Sequence, residues 1–235
     1  DHTFFAPQAA HFADAEHDVV AVDLRGHGHS DKPQQTYPIA TFADDVAWIC
    51  GALRLVRPIL IGHSMGGVVA YDIACRHPDL PSAFVMLDSA VVRPASARAA
   101  LLKTLEGLRG ANYKDILTDL VRSAFFLPTD DPSQRACIIT TMTATPQHVM
   151  VAAYSTFADY DAISDARRIV APSLYIRANE PSPLTDLERL RALIPNLLYG
   201  QTVGSGHFCQ LEVPDQVNAM IDRFLRLVRP MASST

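Results

Sequence analysis

Apolar residues along the chain form two kinds of segment, which predict strands and helices in alternation. Four short and nearly continuous apolar runs have the composition of buried strands: residues 19–23, 58–61, 83–87 and 173–177. Three longer segments repeat apolar residues at helical spacing: residues 38–53, 68–76 and about 214–227. Because continuous apolar strands separated by helices are typical of a covered parallel sheet, we predict an α/β protein with a mostly parallel sheet and helices on both faces.

The interval between the third and fourth predicted strands has a different pattern. Residues 91–170 are rich in Leu, Ala, Thr and Met, with helical periodicity and without the alternation of a strand. We therefore expect a helical insertion over the sheet, called the cap here, with a return helix near residues 146–160. The predicted organisation is a core formed by residues 1–90 and 171–235 and a cap formed by residues 91–170.

Composition and charge exclude several classes of protein. Of the 235 residues, 49% are hydrophobic and 19% are charged, which excludes a disordered chain. The chain has 20 basic and 25 acidic residues, a net charge of −5, and no stripe of Lys and Arg, so no nucleic-acid partner is expected. The apolar runs are much shorter than the roughly 18 residues of a membrane span, so none is expected.

The cysteines and the first residues add two expectations. Four cysteines lie far apart without a C-x-x-C pair, which favours free thiols over a disulfide framework or a zinc site: Cys50, Cys75, Cys137 and Cys209. His27 and His29 are interpreted as turn residues, since no third ligand follows at a suitable spacing, and no metal is expected. No secretory signal is present, so a cytoplasmic location is expected; because residue 1 is not Met, secretion stays open.

Glycines cluster at three predicted turns close to strand ends, around residues 26–28, 62–67 and 204–206. The middle turn reads G-H-S-M-G and stands between a predicted strand and a predicted helix, which is the context of a nucleophile elbow. Ser64 would occupy a sharp bend whose flanking positions tolerate no bulk, and the Met65 amide would be an oxyanion donor. The competing interpretation is a tight glycine turn with an incidental serine; the strand before it and the helix after it favour the elbow.

Three segments together resemble the α/β-hydrolase fold family: residues 23–33 (DLRGHGHSDKP), 62–67 (GHSMGG) and 204–208 (GSGHF). They occur in the order of the family, and the similarity covers nearly the whole chain except the cap. The resemblance implies a Ser–acid–His triad and a site between sheet and cap. It makes His207 the base that takes the proton of Ser64, since a serine hydroxyl is a poor nucleophile without an imidazole beside it.

The acid of the triad is less clearly placed. In most members of the family it follows the strand that here spans residues 173–177, where the expected position is Pro181 and the adjacent carboxylate is Glu180. Asp88 ends the preceding strand, 24 residues after Ser64, and some members, including certain lactone hydrolases and cofactor-free dioxygenases, carry their acid there. We favour Asp88, because a strand terminus fixes the geometry toward the imidazole; Glu180 is the second choice and Asp186 a distant third.

Candidate substrate-binding residues come from the elbow and the cap. His63, next to the serine, is interpreted as structural or pocket-lining. The apolar cap residues are more often cap core than substrate wall, and Phe126 and Met142 are taken as contacts from the following set: Leu102, Leu105, Phe125, Phe126, Met142 and Met150. The pocket is therefore expected to be apolar.

The resemblance also implies strands before residue 1. Members of the family normally have three strands before the one predicted at residues 19–23, and the third ends in a His-Gly turn that donates the second oxyanion amide. Residues 1–5 resemble the stretch just after that turn, so the functional protein is expected to have a longer N-terminus. Without the third strand, the predicted strands at residues 19–23 and 58–61 would lose the neighbour between them.

The leading functional hypothesis is a cofactor-free serine hydrolase that cleaves an ester or lactone of a small hydrophobic substrate through Ser64, His207 and Asp88. Two other enzymes on the same fold stay open: a cofactor-independent dioxygenase, for which the serine is not an obligatory nucleophile, and a carbon–carbon bond hydrolase. A receptor that binds a ligand without turnover is the alternative from a different class. The expected partner is a small molecule, and the sequence leaves a homodimer open.

Overall fold

A computed structural model describes residues 1–15, 17–162, 168–179 and 183–228. The chain begins with a 3₁₀ helix, His2–Phe5. The strands are β1 (Ile59–His63), β2 (Ala83–Leu87), β3 (Ser173–Arg177) and β4 (Leu198–Gln201). The helices are α1 (Ala6–Asp14), α2 (Ile39–Ala52), α3 (Met65–Arg76), α4 (Ala95–Leu108), α5 (Tyr113–Ala124), α6 (Pro132–Thr143), α7 (Gln147–Asp159), α8 (Leu187–Leu193), α9 (Cys209–Glu212) and α10 (Pro214–Val228).

The four strands form one parallel sheet in the order β1-β2-β3-β4. In its register, His63 lies beside Leu87, and Leu87 lies beside Ile176. The carboxyl ends of the three adjacent strands therefore reach the same level. The residues that follow these strands meet along one edge of the sheet, where open α/β proteins bind their ligands.

Each face of the sheet packs against its own layer of helices. Phe84 and Met86 of β2 belong to a core shared with α2, α3 and α8. Ala83, Val85 and Leu87, the alternate residues of the same strand, belong to a second core shared with α1 and α10. All five residues of β2 are buried, which explains why its sequence is continuously apolar rather than alternating. The predicted α/β class with helices on both faces is confirmed.

The structure corrects the predicted strand at residues 19–23, which has no regular secondary structure. A strand is defined by hydrogen bonds to a neighbouring strand, whereas residues 19–22 line a cavity that the residues of β1 also line. Val19 and Val20 are 42% and 44% exposed. The apolar pattern also does not predict β4, because this edge strand has two exposed and two partly buried residues and lacks a continuous apolar run.

Four helices, α4 to α7, occupy the chain between β2 and β3, and no strand occurs among the described residues of this interval. α4 packs against α5 and α7, and α5 packs against α6. A separate apolar cluster joins these helices to the loop before α9 through Phe208: Leu108, Leu117, Val121, Ile138 and Met150. Three of the four cysteines, Cys50, Cys75 and Cys209, are buried, and Cys137 is exposed. In the described part of the chain, no helix has the length and apolar character needed to cross a membrane.

Candidate active site

Ser64 lies at the bend between β1 and α3 in a conformation that few residues other than glycine adopt, with φ 52° and ψ −119°. Backbone hydrogen bonds on both sides of Ser64 stabilise the bend. The Ser64 N–H donates to the carbonyl of Leu87 (2.9 Å), and the Ser64 carbonyl accepts from the Gly67 N–H (3.1 Å). Met65 begins α3, so its amide is one of the first-turn N–H groups that have no acceptor within the helix. Serine and amide thus stand together at a helix N-terminus.

The glycines around this bend have unequal steric roles. A Cβ at Gly62 would collide with the carbonyl of Gly66, and a Cβ at Gly67 would overlap the hydroxyl of Ser89. At Gly66 an added Cβ meets no atom within 4 Å. The expectation that the positions flanking Ser64 tolerate no bulk therefore holds for Gly62 and Gly67, and the structure corrects it for Gly66.

We expect Gly67→Ala to destabilise the protein by about 1–3 kcal/mol, because the new methyl group overpacks against buried Ser89. Gly66→Ala is the matched control in the same helical turn. It should be neutral or up to about 1 kcal/mol stabilising, since alanine is the better helix former and the space is open. Urea unfolding of both variants measures the difference, and equal free energies of unfolding would contradict the steric assignment.

Asp88 follows β2 directly and is almost completely buried. Its backbone has a positive φ of 41°, and its N–H donates to the Ile176 carbonyl (2.7 Å). The carboxylate oxygen Oδ1 accepts from the Ala178 N–H (3.0 Å), which orients the side chain. The other oxygen, Oδ2, lies 2.7 Å from Nδ1 of His207. The carboxylate is therefore held on one side by the backbone after β3 and bonded on the other to an imidazole.

His207 lies in the loop before α9, and its side chain, like that of Asp88, is only 2% exposed. Its N–H donates to the Phe125 carbonyl (2.8 Å), which connects the loop to the segment after α5. The Phe125 ring lies 4.4 Å from the imidazole, centroid to centroid. With a carboxylate on Nδ1, the hydrogen of a neutral imidazole stays on that nitrogen, and Nε2 is the nitrogen able to accept a proton. The arrangement suits a general base.

His63 connects the Ser64 bend to the His207 loop. Its Nε2 donates to the backbone carbonyl of His207 (2.7 Å), and the two rings lie 4.5 Å apart. Burial, and then the nearby charge of His207, hold the pKa of His63 well below its ordinary value. His63 is therefore neutral and acts as a hydrogen-bond donor that fixes the His207 backbone beside the bend.

A cavity of about 950 Å³ brings these groups to one surface. Ser64, Met65, His63 and His207 all line it, as do the other residues of β1 and residues 19–22. On the side of α4 to α7 its wall is mainly apolar and includes Leu101, Leu120, Phe125, Met142, Met150 and Phe157. A buried imidazole–carboxylate pair, a serine at a strained bend and helix-terminal amides beside an apolar cavity can carry out acyl transfer.

A sequence model of the alpha/beta hydrolase fold matches residues 2–136, more than half of the chain. The chain belongs to the alpha/beta hydrolase fold family.

Individual relatives of this alpha/beta hydrolase agree in fold. A Haemophilus influenzae protein provisionally named an esterase/lipase is 28% identical over 221 residues, which cover 88% of this chain and 73% of that protein. An esterase from Thermogutta terrifontis has a TM-score of 0.86 at 23% identity, over 98% of this chain and 87% of that one. Est816, described as an N-acyl homoserine lactone degrading enzyme, has a TM-score of 0.76 at 26% identity, over 95% and 88%.

The predicted site residues of the alpha/beta hydrolase fall into three groups. The structure brings Ser64, Met65, His63, His207 and Asp88 together at the carboxyl edge of the sheet. Met142 lines the cavity, but Phe126 is not among the residues that line it, because its ring packs against Phe208 (5.8 Å) and under the guanidinium of Arg135 (5.6 Å). Glu180 lies outside the described residues.

Sequence reasoning left two residues of the hydrolase cavity without a role. Phe125 contacts His207 through both its carbonyl and its ring, and only its position in an apolar cap segment signalled it. Arg93 lines the cavity directly after the buried residues Val91 and Val92. In the sequence, Arg93 is marked only as a single charged residue at the end of an apolar segment.

Among the residues that the structure describes, the ligand atoms of Asp1, His2 and Asp23 lie close enough together to hold a metal ion. Their hydrogen bonds already account for this arrangement. Asp23 accepts from the His2 N–H (2.7 Å) and the His29 N–H (2.8 Å), and it lies 2.9 Å from His2 Nδ1. These bonds place Asp23 in the turn that also contains His29, as the turn interpretation of His29 predicts.

Glu212 is a partly buried residue of α9, next to the His207 loop, and its two carboxylate oxygens are buried. Burial, followed by the neighbouring carboxylate of Asp130, raises the pKa of Glu212 to about 7. The backbone N–H groups of Gly206 and Phe208 and the charge of Arg135 oppose this shift without cancelling it. The folded protein therefore keeps a proton on Glu212 over a pH range in which the unfolded chain has lost it.

We expect this proton to make the hydrolase less stable as pH rises. The carboxyl ionises near pH 4.5 in the unfolded chain and near 7 in the folded protein, so the folded state binds more protons between these values. The free energy of unfolding should fall from pH 4.5 to 7 and level off above pH 7. Glu212→Gln should reduce this slope, as measured by urea unfolding at each pH; parallel curves for the two proteins would contradict the assignment.

Proposed function

We propose that this protein is a serine hydrolase that cleaves an ester or lactone of a small, largely apolar substrate through Ser64, His207 and Asp88. The observation that carries the proposal is the buried hydrogen bond of 2.7 Å between His207 Nδ1 and Asp88 Oδ2, beside the cavity that Ser64 also lines. A carboxylate bonded to the far nitrogen of an imidazole holds that ring in the tautomer that can deprotonate a serine.

In the first half of the reaction, Ser64 Oγ attacks the substrate carbonyl carbon while Nε2 of His207 takes the hydroxyl proton. The carbonyl π electrons move onto oxygen, and the amide of Met65 donates a hydrogen bond to this oxyanion. Collapse of the tetrahedral intermediate breaks the bond to the alkoxy oxygen, which receives the proton from His207. The alcohol leaves, or stays attached as the opened chain of a lactone, and an acyl-Ser64 ester remains.

In the second half, a water molecule attacks the acyl carbon and gives its proton to His207. The second tetrahedral intermediate collapses, Ser64 Oγ recovers the proton, and the carboxylic acid is released. Asp88 keeps the Nδ1 hydrogen directed at itself throughout and stabilises the imidazolium that forms twice in each cycle. His63 is assigned the role of holding the His207 backbone through its hydrogen bond to the carbonyl.

We assign residues 91–170 as the cap of this site. α4 to α7 supply the apolar wall of the cavity, and the Phe125 carbonyl and ring contact His207 directly. An apolar wall favours hydrophobic acyl or alkyl groups and excludes water from the acyl intermediate. The names of the H. influenzae relative and of Est816 support an ester or lactone as the substrate class.

The decisive experiment combines covalent labelling with a panel of 4-nitrophenyl esters and acyl lactones. We expect a fluorophosphonate to label Ser64, identified by peptide mass, and to abolish turnover in proportion to labelling. Turnover of at least one short ester or lactone by unlabelled protein should be saturable.

Other outcomes point to the remaining candidates. Tight ligand binding with negligible turnover would favour the receptor. Oxygen consumption that persists after complete labelling would favour the dioxygenase. Either result would refute a serine hydrolase.

A further inference from the structure

Arg93 is a partly buried guanidinium on the wall of the cavity that contains Ser64 and His207. Its Nη2 donates to the carbonyls of Tyr160 (2.9 Å) and Ala158 (3.3 Å), at the end of α7. The guanidinium carbon lies 4.6 Å from the centroid of the Phe157 ring. Nη1 is buried and has no hydrogen-bond partner among the described residues. Only part of this cation's bonding capacity is used.

Within the part of the chain that the structure describes, the charge of Arg93 is also incompletely balanced. The carboxylate of Asp159 favours the charged form of Arg93, but it already accepts a hydrogen bond of 3.0 Å from Arg98. Burial lowers the pKa of Arg93, and the positive charge of Arg98 lowers it further. Backbone carbonyls and an aromatic face stabilise a cation less than a carboxylate does, so a desolvated positive charge remains at the cavity wall.

We propose that Arg93 binds a carboxylate carried by the substrate, so that the preferred ester or lactone is a carboxylate-bearing compound with an apolar linker. The proposal rests on the hydrolase function proposed above. The linker would contact the apolar cap residues, while the carboxylate neutralises Arg93 in a site where water competes weakly for either ion. Arg93 is then a specificity-determining residue, since it contacts a part of the substrate remote from the reacting carbonyl.

The test compares 4-nitrophenyl monoesters of C5–C8 dicarboxylic acids with the fatty acid esters of equal length. In the wild-type protein, the monoester of at least one length should exceed its neutral counterpart at least tenfold in kcat/KM. Arg93→Met should lower this ratio at least tenfold, mainly through KM, and Arg93→Lys should keep it within about threefold. Lys103→Met, which removes an exposed cation of α4 that does not line the cavity, is the matched control and should leave the ratio within about twofold.

Two results would overturn the proposal. Equal losses for charged and neutral esters in Arg93→Met would show that Arg93 only holds the end of α7. A wild-type preference for neutral esters at every length would also refute it, whether or not the variant folds.

A binding measurement separates this proposal from the hydrolase function. Calorimetry compares adipic acid monoanilide with hexananilide on the wild-type protein. At least tenfold tighter binding of the acid supports Arg93 as the carboxylate site even if no ester is hydrolysed. Equal affinities refute it even if esters are hydrolysed.

Discussion

Ser64→Ala is expected to reduce kcat for the best ester by about 10⁶-fold, because the methyl side chain leaves no nucleophile for His207 to activate. The substitution removes one oxygen atom and leaves the backbone bonds of the bend to Leu87 and Gly67 in place. We therefore expect the variant to fold with an unchanged thermal midpoint and to lose fluorophosphonate labelling completely.

Ser123→Ala is the matched control for this variant. Ser123 is an exposed serine on α5 whose hydroxyl donates to two carbonyls of its own helix, those of Asp119 and Leu120. It should keep full turnover and full labelling. If Ser64→Ala retained more than a hundredth of wild-type turnover, Ser64 would not be the nucleophile, and chemistry driven by His207 and Asp88 alone would become the better explanation.

Asp88→Asn is expected to reduce kcat by about 10⁴-fold while leaving KM within a fewfold of the wild-type value. The amide oxygen can still accept from the Ala178 N–H, so the local fold is retained. The side-chain NH2 group that replaces Oδ2 has no negative charge to stabilise an imidazolium. It also donates rather than accepts a hydrogen bond, which favours the wrong tautomer of His207.

The companion variant is Glu180→Gln, because the sequence leaves Glu180 as the second candidate for the acid. It should keep kcat within about threefold of the wild-type value. Steady-state kinetics on one ester and one lactone measures both variants. A larger loss in Glu180→Gln than in Asp88→Asn would transfer the role of the acid to Glu180.

The Ser64 bend could be predicted from sequence because its requirements are local. Gly62 and Gly67 mark positions where backbone or a buried hydroxyl leaves no room for a Cβ, and the flanking strand and helix are evident from the apolar pattern. The strands at residues 83–87 and 173–177 could be predicted for the same reason. Nearly all of their residues are buried, and this burial requires the mostly apolar composition that the sequence shows. Local steric and solvation requirements restrict the choice of residue at each position.

The predictions that missed concern relations between distant segments. Residues 19–23 have the composition of a strand, yet they have no regular secondary structure, and residues 19–22 line the cavity. The apolar pattern also does not indicate that Phe125, rather than the adjacent Phe126, lines the cavity, where its ring lies against both His207 and Phe208. Apolarity alone does not distinguish the two.

By itself, the sequence of this protein determined the α/β class, the position of the Ser64 bend and the candidacy of His207. Tertiary structure decided which carboxylate contacts that imidazole and how its loop is held. Asp88 and His207 are 119 residues apart in the chain, yet 2.7 Å separates their side chains. Asp88 follows β2 and His207 follows β4, and the parallel pairing of β2, β3 and β4 brings these two strand ends to one edge of the sheet. The partners of His63, Phe125 and Arg93 were decided in the same way. The amino-acid sequence specifies the chemistry of each side chain, whereas the groups that a side chain contacts depend on how the whole chain packs.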